Sequence, residues 1–159
     1  MALTAYLAVK GENQGDIKGD CPQDGDKKDK ILVYDIKHNV EIPTDTHNGL
    51  PTGQRQHKPL VLTKAVDNAS PLLYKACCKG ERCEVVLDMY RIKGDGNEEK
   101  YFTVKLKDAV VVKMERSTPM TFLPENKPYR DMEMVSFTYS SITWTYNDGN
   151  IEFNDDWKK

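Results

Sequence analysis

Apolar and polar residues alternate with a period of two over most of this chain. Leu3, Ala5, Leu7 and Val9 fall on one face of an extended segment and Thr4, Tyr6 and Ala8 on the other, which predicts a first strand. Residues 31 to 43, ILVYDIKHNVEIP, repeat the pattern at greater length. Leu32, Tyr34, Ile36, His38, Val40 and Ile42 share one face; Val33, Asp35, Lys37, Asn39 and Glu41 share the other. The spacing predicts a half-buried strand, stopped by Pro43, which cannot donate to a ladder. LVLTKA, residues 60 to 65, reads as a short strand. CEVVLDMYRIKG and KYFTVKLKDAVVVKMER flank the turn Gly94-Asp95-Gly96-Asn97 and predict a hairpin. Phe102, Val104 and Leu106 set one phase there, and Val110, Val111 and Val112 predict burial on both faces. Later the phase changes: Val135, Phe137 and Tyr139 are odd, while Ile142, Trp144 and Tyr146 are even. A bulge at Ser140-Ser141 would keep both sets on the core side. The turn Asn147-Asp148-Gly149-Asn150 then returns the chain into Ile151 and Phe153.

One stretch has helical signals. Ser70 suits an N-cap, Pro71 a first helical position, and Gly80 the position after the end, so a short helix is expected from Pro71 to about Lys79. Residues 10 to 30, with Ile17 as their one large aliphatic residue, read as a solvated loop. Residues 43 to 59 form a second long loop with no hydrophobic period, and loops of that length usually have a task. The sum is a single domain, residues 1–159, of about seven strands and one helix: an all-β, mainly antiparallel sandwich or barrel.

Two-sided strands change this picture. Val85, Leu87 and Met89 lie on one face of their strand, and Val86, Tyr90 and Ile92 on the other. An outer strand of a small barrel needs one apolar face. The second face requires a cover, and because the helix is too short to supply it all, self-association is expected.

Composition removes several function classes. The formal net charge is −2, with acids and bases interspersed, so no electrostatic argument favours DNA, RNA or an anionic membrane. The opening residues lack a basic segment and are expected to form a strand, not a signal peptide. No stretch reaches the length of a membrane-spanning helix, so no direct membrane insertion is expected. The chain is expected to fold in the cytoplasm, with its thiols reduced.

Three of the four cysteines, Cys77, Cys78 and Cys83, crowd into KACCKGERC. On a helix, Leu72, Leu73, Ala76 and Cys77 share one broad face and Cys78 points nearly opposite. Adjacent helical residues diverge too widely to hold one metal, and two knuckles of Cys-x-x-Cys spacing are missing. Packing is the better reading of Cys77. His38 is expected to be a hydrogen-bonded core histidine, and His47 and His57, with no carboxylate at readable spacing, to be polar surface. Asp20, Asp24, Gly25 and Asp26 resemble a calcium loop, but its bidentate Glu is replaced by Ile31. No nucleophile-and-base pair or nucleotide fingerprint stands out. No catalytic, cofactor-binding or metal-binding residues are assigned.

The middle of the chain resembles the haemolysin-coregulated protein family, the tube subunits of bacterial type VI secretion systems. The resemblance is carried by His38, Pro43-Thr44-Asp45, Thr52-Gly53, Arg55, His57, Pro59, Thr63-Lys64, Asp67 and Ser70-Pro71 with Leu73-Tyr74. YFTVKLKDAVVVKM and SSITWTYNDGNIEFNDDW extend it over essentially the whole chain, while the cysteines lie outside the pattern. It implies a two-sheet β-barrel with one flanking helix, assembled into six-membered rings that stack into a tube. The implied partners are further copies of the chain, the sheath and spike of the apparatus, and effector proteins held in the channel. It also implies secretion by the type VI system without a signal peptide. Contacts within or between rings are expected from Thr46, His47, Asn48, Thr52, Arg55, His57, Tyr74 and Cys78. The competing readings are a monomeric β-sandwich ligand-binding module using His47, Arg55 and His57, and a small hydrolase with a histidine of the same loop.

Overall fold

The computed structural model describes residues 4–23 and 25–158; Leu3 of the expected first strand and Asp24 of the rejected calcium loop lie outside them. The elements run β1 (Thr4–Gly11), β2 (Gly15–Ile17), β3 (Ile31–Lys37), β4 (Val40–Glu41), β5 (Gln56–His57), β6 (Leu60–Ala65), α1 (Ser70–Lys79), β7 (Arg82–Ile92), β8 (Glu98–Ser117), β9 (Met132–Thr138), β10 (Ser141–Tyr146) and β11 (Ile151–Asp156). All of these strand pairings are antiparallel. The strands form two sheets. The larger runs β11-β10-β8-β7-β1-β3-β6-β9 and closes on itself where β9 returns to β8; β2 pairs with β1, and β4-β5 form a separate ribbon.

Closure depends on β8, whose 20 residues are several times the usual strand length of about 5–6. Its first half, Phe102 to Lys107, pairs with β10, and its second half, Val110 to Ser117, with β9. Between the halves Asp108 has a positive φ of 50°, and a register shift follows between Val111 and Lys113. The phase change near Ser140 is the other side of the same switch. Instead of a bulge within one strand, the chain breaks there and changes its position along β8, which keeps Val135, Phe137, Tyr139 and Ile142 all in the core. Val112 departs from its expectation: at the bent half of β8 it is 48 % exposed, and Val111 alone of the three valines is fully buried.

β3 departs as well. Ile31 and Val33 are buried while Tyr34 is 54 % exposed, the reverse of the predicted face. A register shift between Val33 and Asp35, where β3 meets β6, moves the inward phase to Ile36. A one-residue irregularity flips every later side chain, so a single alternation read across residues 31–43 assigned its first half to the wrong side. The strand also ends at Lys37, and Val40 and Ile42 stand exposed in the segment beyond it.

Residues 10–30 are more structured than the expected loop. Ile17 and Cys21 are buried, and Tyr6, Cys21 and Tyr90 form a second small core with Leu32 against it. Lys27 lies 5.0 Å from the Tyr6 ring and 4.5 Å from that of Tyr90 and pairs with Glu98; Lys30 Nζ reaches Asp88 Oδ2 at 3.0 Å. Part of the second face of β7 is therefore covered by the chain's own loop, not by a neighbouring subunit.

α1 begins one residue earlier than predicted, with Ala69 at the cap. Asp67 accepts from the Ala69 amide at 3.0 Å, and the Ser70 hydroxyl turns inward to Lys64 Nζ at 3.0 Å. Lys64, wholly buried, also meets Asp67 Oδ1 at 3.0 Å and Glu133 Oε1, so this ion cluster pins the start of the helix to β6 and β9. Gly80 ends the helix in the left-handed region, φ 62°, and its amide and that of Glu81 reach back to Cys77 and Ala76. Leu73 and Ala76 are buried, Cys77 packs against the core, and Leu72 stays 37 % exposed. No helix among the described residues is long and apolar enough to cross a membrane.

Candidate functional site

The segment from residue 38 to residue 58 is an ordered arm. Val40 pairs with His57 and Glu41 with Gln56, and the Lys58 amide donates to the Asn39 carbonyl at 3.0 Å. Further out, Thr44 bridges Pro51. The tip closes through the Asp45 amide to the Leu50 carbonyl and the Gly49 amide to the Asp45 carbonyl, both 2.8 Å. Side chains of the turn type finish it: Asp45 Oδ1 accepts from the His47 amide at 2.7 Å, and Asn48 Oδ1 from the Leu50 amide at 2.9 Å. The arm folds by local polar contacts, which is why it carries no hydrophobic period. Thr46, His47 and Asn48 stand exposed at the tip, and Thr52 is exposed on the segment returning to β5.

The root of the arm is fixed to the far end of the chain. Arg55 binds Asp155 through Nε to Oδ2 at 2.5 Å and Nη2 to Oδ1 at 2.8 Å, and donates to the Asp156 carbonyl at 2.9 Å. His57, 5 % exposed, has Nε2 2.8 Å from Asp155 Oδ2 and Nδ1 2.9 Å from the Tyr139 phenol. The same phenol lies 2.8 Å from His38 Nε2. The Trp144 and Trp157 rings stack on the His57 imidazole with centroids 6.4 and 5.7 Å away, and Phe153 continues the stack beyond Trp144. The Arg55 fork, then His57, holds the Asp155 carboxyl below the usual carboxylate range. Burial, then the Asp155 charge, pushes the Tyr139 phenol upward, so it keeps its proton. Burial and then His57 lower His38.

Among the predicted contact residues, Arg55 and His57 are brought together, and both are engaged inside the subunit. The carboxylate that His57 lacked in the sequence is Asp155, 98 positions away, so this histidine is a buried network member and not polar surface. Tyr74 is half-buried and Cys78 exposed on α1, which packs on β8. Alternation places Tyr139 and Trp144 on the core side, but the network they form with Asp155 and Trp157 has no local mark, because its partners lie up to 101 positions apart. His38 has the hydrogen bond expected of it. The four cysteines are free; burial and then Glu81 and Glu84 push the Cys83 thiol up to about 11, an inert packing group. Among the described residues no cluster of His, Cys, Asp and Glu is arranged to hold a metal.

The order Asp155, His57, Tyr139 superficially matches acid, base and hydroxyl in a nucleophilic site. Geometry disposes of that reading: the phenol is 5 % exposed, and its oxygen lies between two imidazoles. A ligand site built from His47, Arg55 and His57 fares no better, since His47 is at the exposed tip and the other two are bound to Asp155.

Comparisons with known proteins match nearly the whole chain. The family described as "Type VI secretion system effector, Hcp" matches residues 6–146. The "Major exported protein" of Pseudomonas aeruginosa is 39 % identical over 99 % of this chain and 97 % of its own length. Among solved structures, the Hcp1 protein of Escherichia coli superposes with a TM-score of 0.86 at 36 % identity, covering 98 % of this chain and 99 % of the other. The secreted protein Hcp3 of Pseudomonas aeruginosa gives 0.81 at 34 % identity, with 99 % and 100 % covered.

Proposed function

Because the chain belongs to the Hcp family of type VI secretion proteins, we propose that it acts as a ring-forming subunit of the secretion tube. Six copies close around a wide channel, the rings stack within the sheath behind the spike, and the tube is exported. Effector proteins ride in the channel and are protected there before export. The role is structural and carrier, not enzymatic. Full-length agreement in both sequence and fold with Hcp proteins carries the reading.

Two features of the subunit support it. A tube subunit must present rigid projecting parts, and the arm is rigid because its root is bonded to β11 while its tip is exposed. Assembly also needs uncovered apolar surface, and Phe153 is 59 % exposed on β11, which has no second neighbour in the large sheet among the described residues. Light scattering tests the ring: a particle near six times the 18.2 kDa chain is expected, with holed rings in electron micrographs. A monomer at every concentration overturns it.

A further inference from the structure

The Tyr139 phenol is shared by two histidines, and the hydrogens in this network have only one neutral arrangement. A carboxylate accepts and never donates, so the bond to Asp155 Oδ2 requires the hydrogen on His57 Nε2. Neutral His57 then has a bare Nδ1, which accepts from the Tyr139 hydroxyl at 2.9 Å. With its hydrogen used, the phenol oxygen accepts from His38, whose Nε2 carries the hydrogen across 2.8 Å. The direction is fixed: His38 to Tyr139 to His57 to Asp155.

One added proton can be absorbed. If His57 is charged, both of its nitrogens donate, the phenol turns its hydrogen to a bare His38 Nε2, and the chain runs the other way. If His38 takes the proton instead, its Nε2 donates as before. Two added protons cannot be absorbed. Both imidazoliums would then aim donors at one phenol oxygen, and the hydroxyl hydrogen of Tyr139, itself 5 % exposed, would have no acceptor among the described residues. An orphaned buried donor beside two like charges is costly.

We infer that Tyr139 and its two histidines form an acid-sensitive clasp at the root of the arm, holding with one added proton or none and opening when both His38 and His57 are charged. The placement makes opening consequential. His38 lies just before β4 and His57 within β5, so the phenol holds both strands of the arm at once. The groups facing His57 are Asp155 from β11, Tyr139 following β9, Arg55 from the arm and His38 from the segment before β4; the stacked Trp144 and Trp157 rings do not titrate. Asp156 adds its charge beside Arg55, and Lys58 pairs with Glu41 at 3.7 Å. The lowering of His38 by burial and by His57 points the same way. The inference concerns the subunit and does not depend on the ring.

Nitrogen-15 labelling of the histidine rings in the intact protein gives three pairs of signals, Nδ1 and Nε2 of each of His38, His47 and His57. At neutral pH, His38 and His57 are expected as the Nε2–H form, while His47 at the exposed tip averages its tautomers. Amide hydrogen exchange, corrected for intrinsic rate, is then followed over about pH 7.5 to 4.5, which brackets the ordinary histidine value. Protection of residues 40–58 should fall about tenfold per pH unit where the second proton enters, with β7 unchanged. In Tyr139→Phe that acid step should vanish. A neutral-pH Nδ1–H form at His57, both histidines charged with the arm still protected, or an unchanged acid step in folded Tyr139→Phe each overturns the clasp. Should Tyr139→Phe fail to fold, the tautomer and exchange measurements on the unaltered protein decide alone.

Discussion

Arg55 and Asp155 are 100 residues apart in sequence and meet through two near-parallel hydrogen bonds of 2.5 and 2.8 Å. The pair ties the arm to the last strand of the sheet, and His57 adds a third bond to the same carboxylate. Tyr139 holds the other side of the His57 ring, so the root of the arm is fastened both to β11 and to the break that separates β9 from β10.

Asp155→Ala is expected to destabilise the fold chiefly through what it leaves behind. His57 Nε2, on a wholly buried side chain, loses its acceptor, and an orphaned buried donor costs about 1–3 kcal/mol. Urea unfolding at neutral pH measures this. The pH dependence has a definite sign. Asp155 binds its proton at lower pH in the folded chain than in the unfolded one, so between the two values the unfolded chain holds more protons and stability rises with pH. Its contribution is complete above the ordinary carboxylate value of about 3.9 and is lost as pH falls through the lowered value. Asp155→Ala should lack that slope; an identical acid profile in the variant counts against the assignment.

A different cost is expected at Lys64. Its ammonium, the Glu133 carboxylate and the Ser70 hydroxyl are all buried, and Glu133 Oε2 has no hydrogen-bond partner among the described residues. Glu133→Leu leaves Lys64 with Asp67 as its one carboxylate partner, and losing one partner of a buried charge costs up to about 3–5 kcal/mol. Glu133→Leu alone should lower the urea midpoint, while Lys64→Met with Glu133→Leu and Asp67→Asn, which keeps an acceptor for the Ala69 amide, should recover most of the loss. A triple variant as unstable as the single would show that the cluster is worth more than apolar packing.

These particulars mark what the chain discloses about itself. The hairpin of β7 and β8, the helix ending at Gly80 and the phase change near Ser140 all rest on neighbours in sequence, and all were legible. The bulge between Val33 and Asp35 was not, because a register shift belongs to the pairing with β6 and leaves no mark in the alternation of β3 alone. Nor could periodicity show that residues 18–30 fold back over Tyr6 and Tyr90, since that cover depends on single contacts from Cys21 and Lys27. The resemblance drew attention to Arg55 and His57. Their partners Tyr139 and Asp155 needed the three-dimensional structure, because a polar network assembled by barrel closure has no spacing rule.

Tyr90 offers a test of that second small core. Its ring packs edge-on against Tyr6 at 5.5 Å, but its buried hydroxyl has no hydrogen-bond partner among the described residues. Tyr90→Phe removes an unsatisfied group and keeps the ring, so it should be neutral or stabilising by up to about 1 kcal/mol. Tyr90→Ala removes the platform under Lys27 and should cost about 3–5 kcal/mol. Loss in that variant should also appear as faster amide exchange across residues 18–30. If Tyr90→Phe destabilises by as much as Tyr90→Ala, the hydroxyl has a partner after all.

The arm tip separates folding from assembly. Thr46, His47, Asn48 and Leu50 are exposed, and the hydrogen bonds that shape the tip are made within residues 43–52. Replacing residues 46–50 by a two-residue turn keeps Arg55, His57 and their bonds to Asp155, so the unfolding free energy should stay within about 0.5 kcal/mol of the parent. If the tip reaches the next ring, the variant should still give single rings by light scattering, while electron micrographs show stacks shortened several-fold. Shortened stacks together with a fallen unfolding midpoint would mean that the tip supports the fold itself. Stacks of parental length would remove the arm from the ring-to-ring contact and leave its rigid root serving the subunit alone.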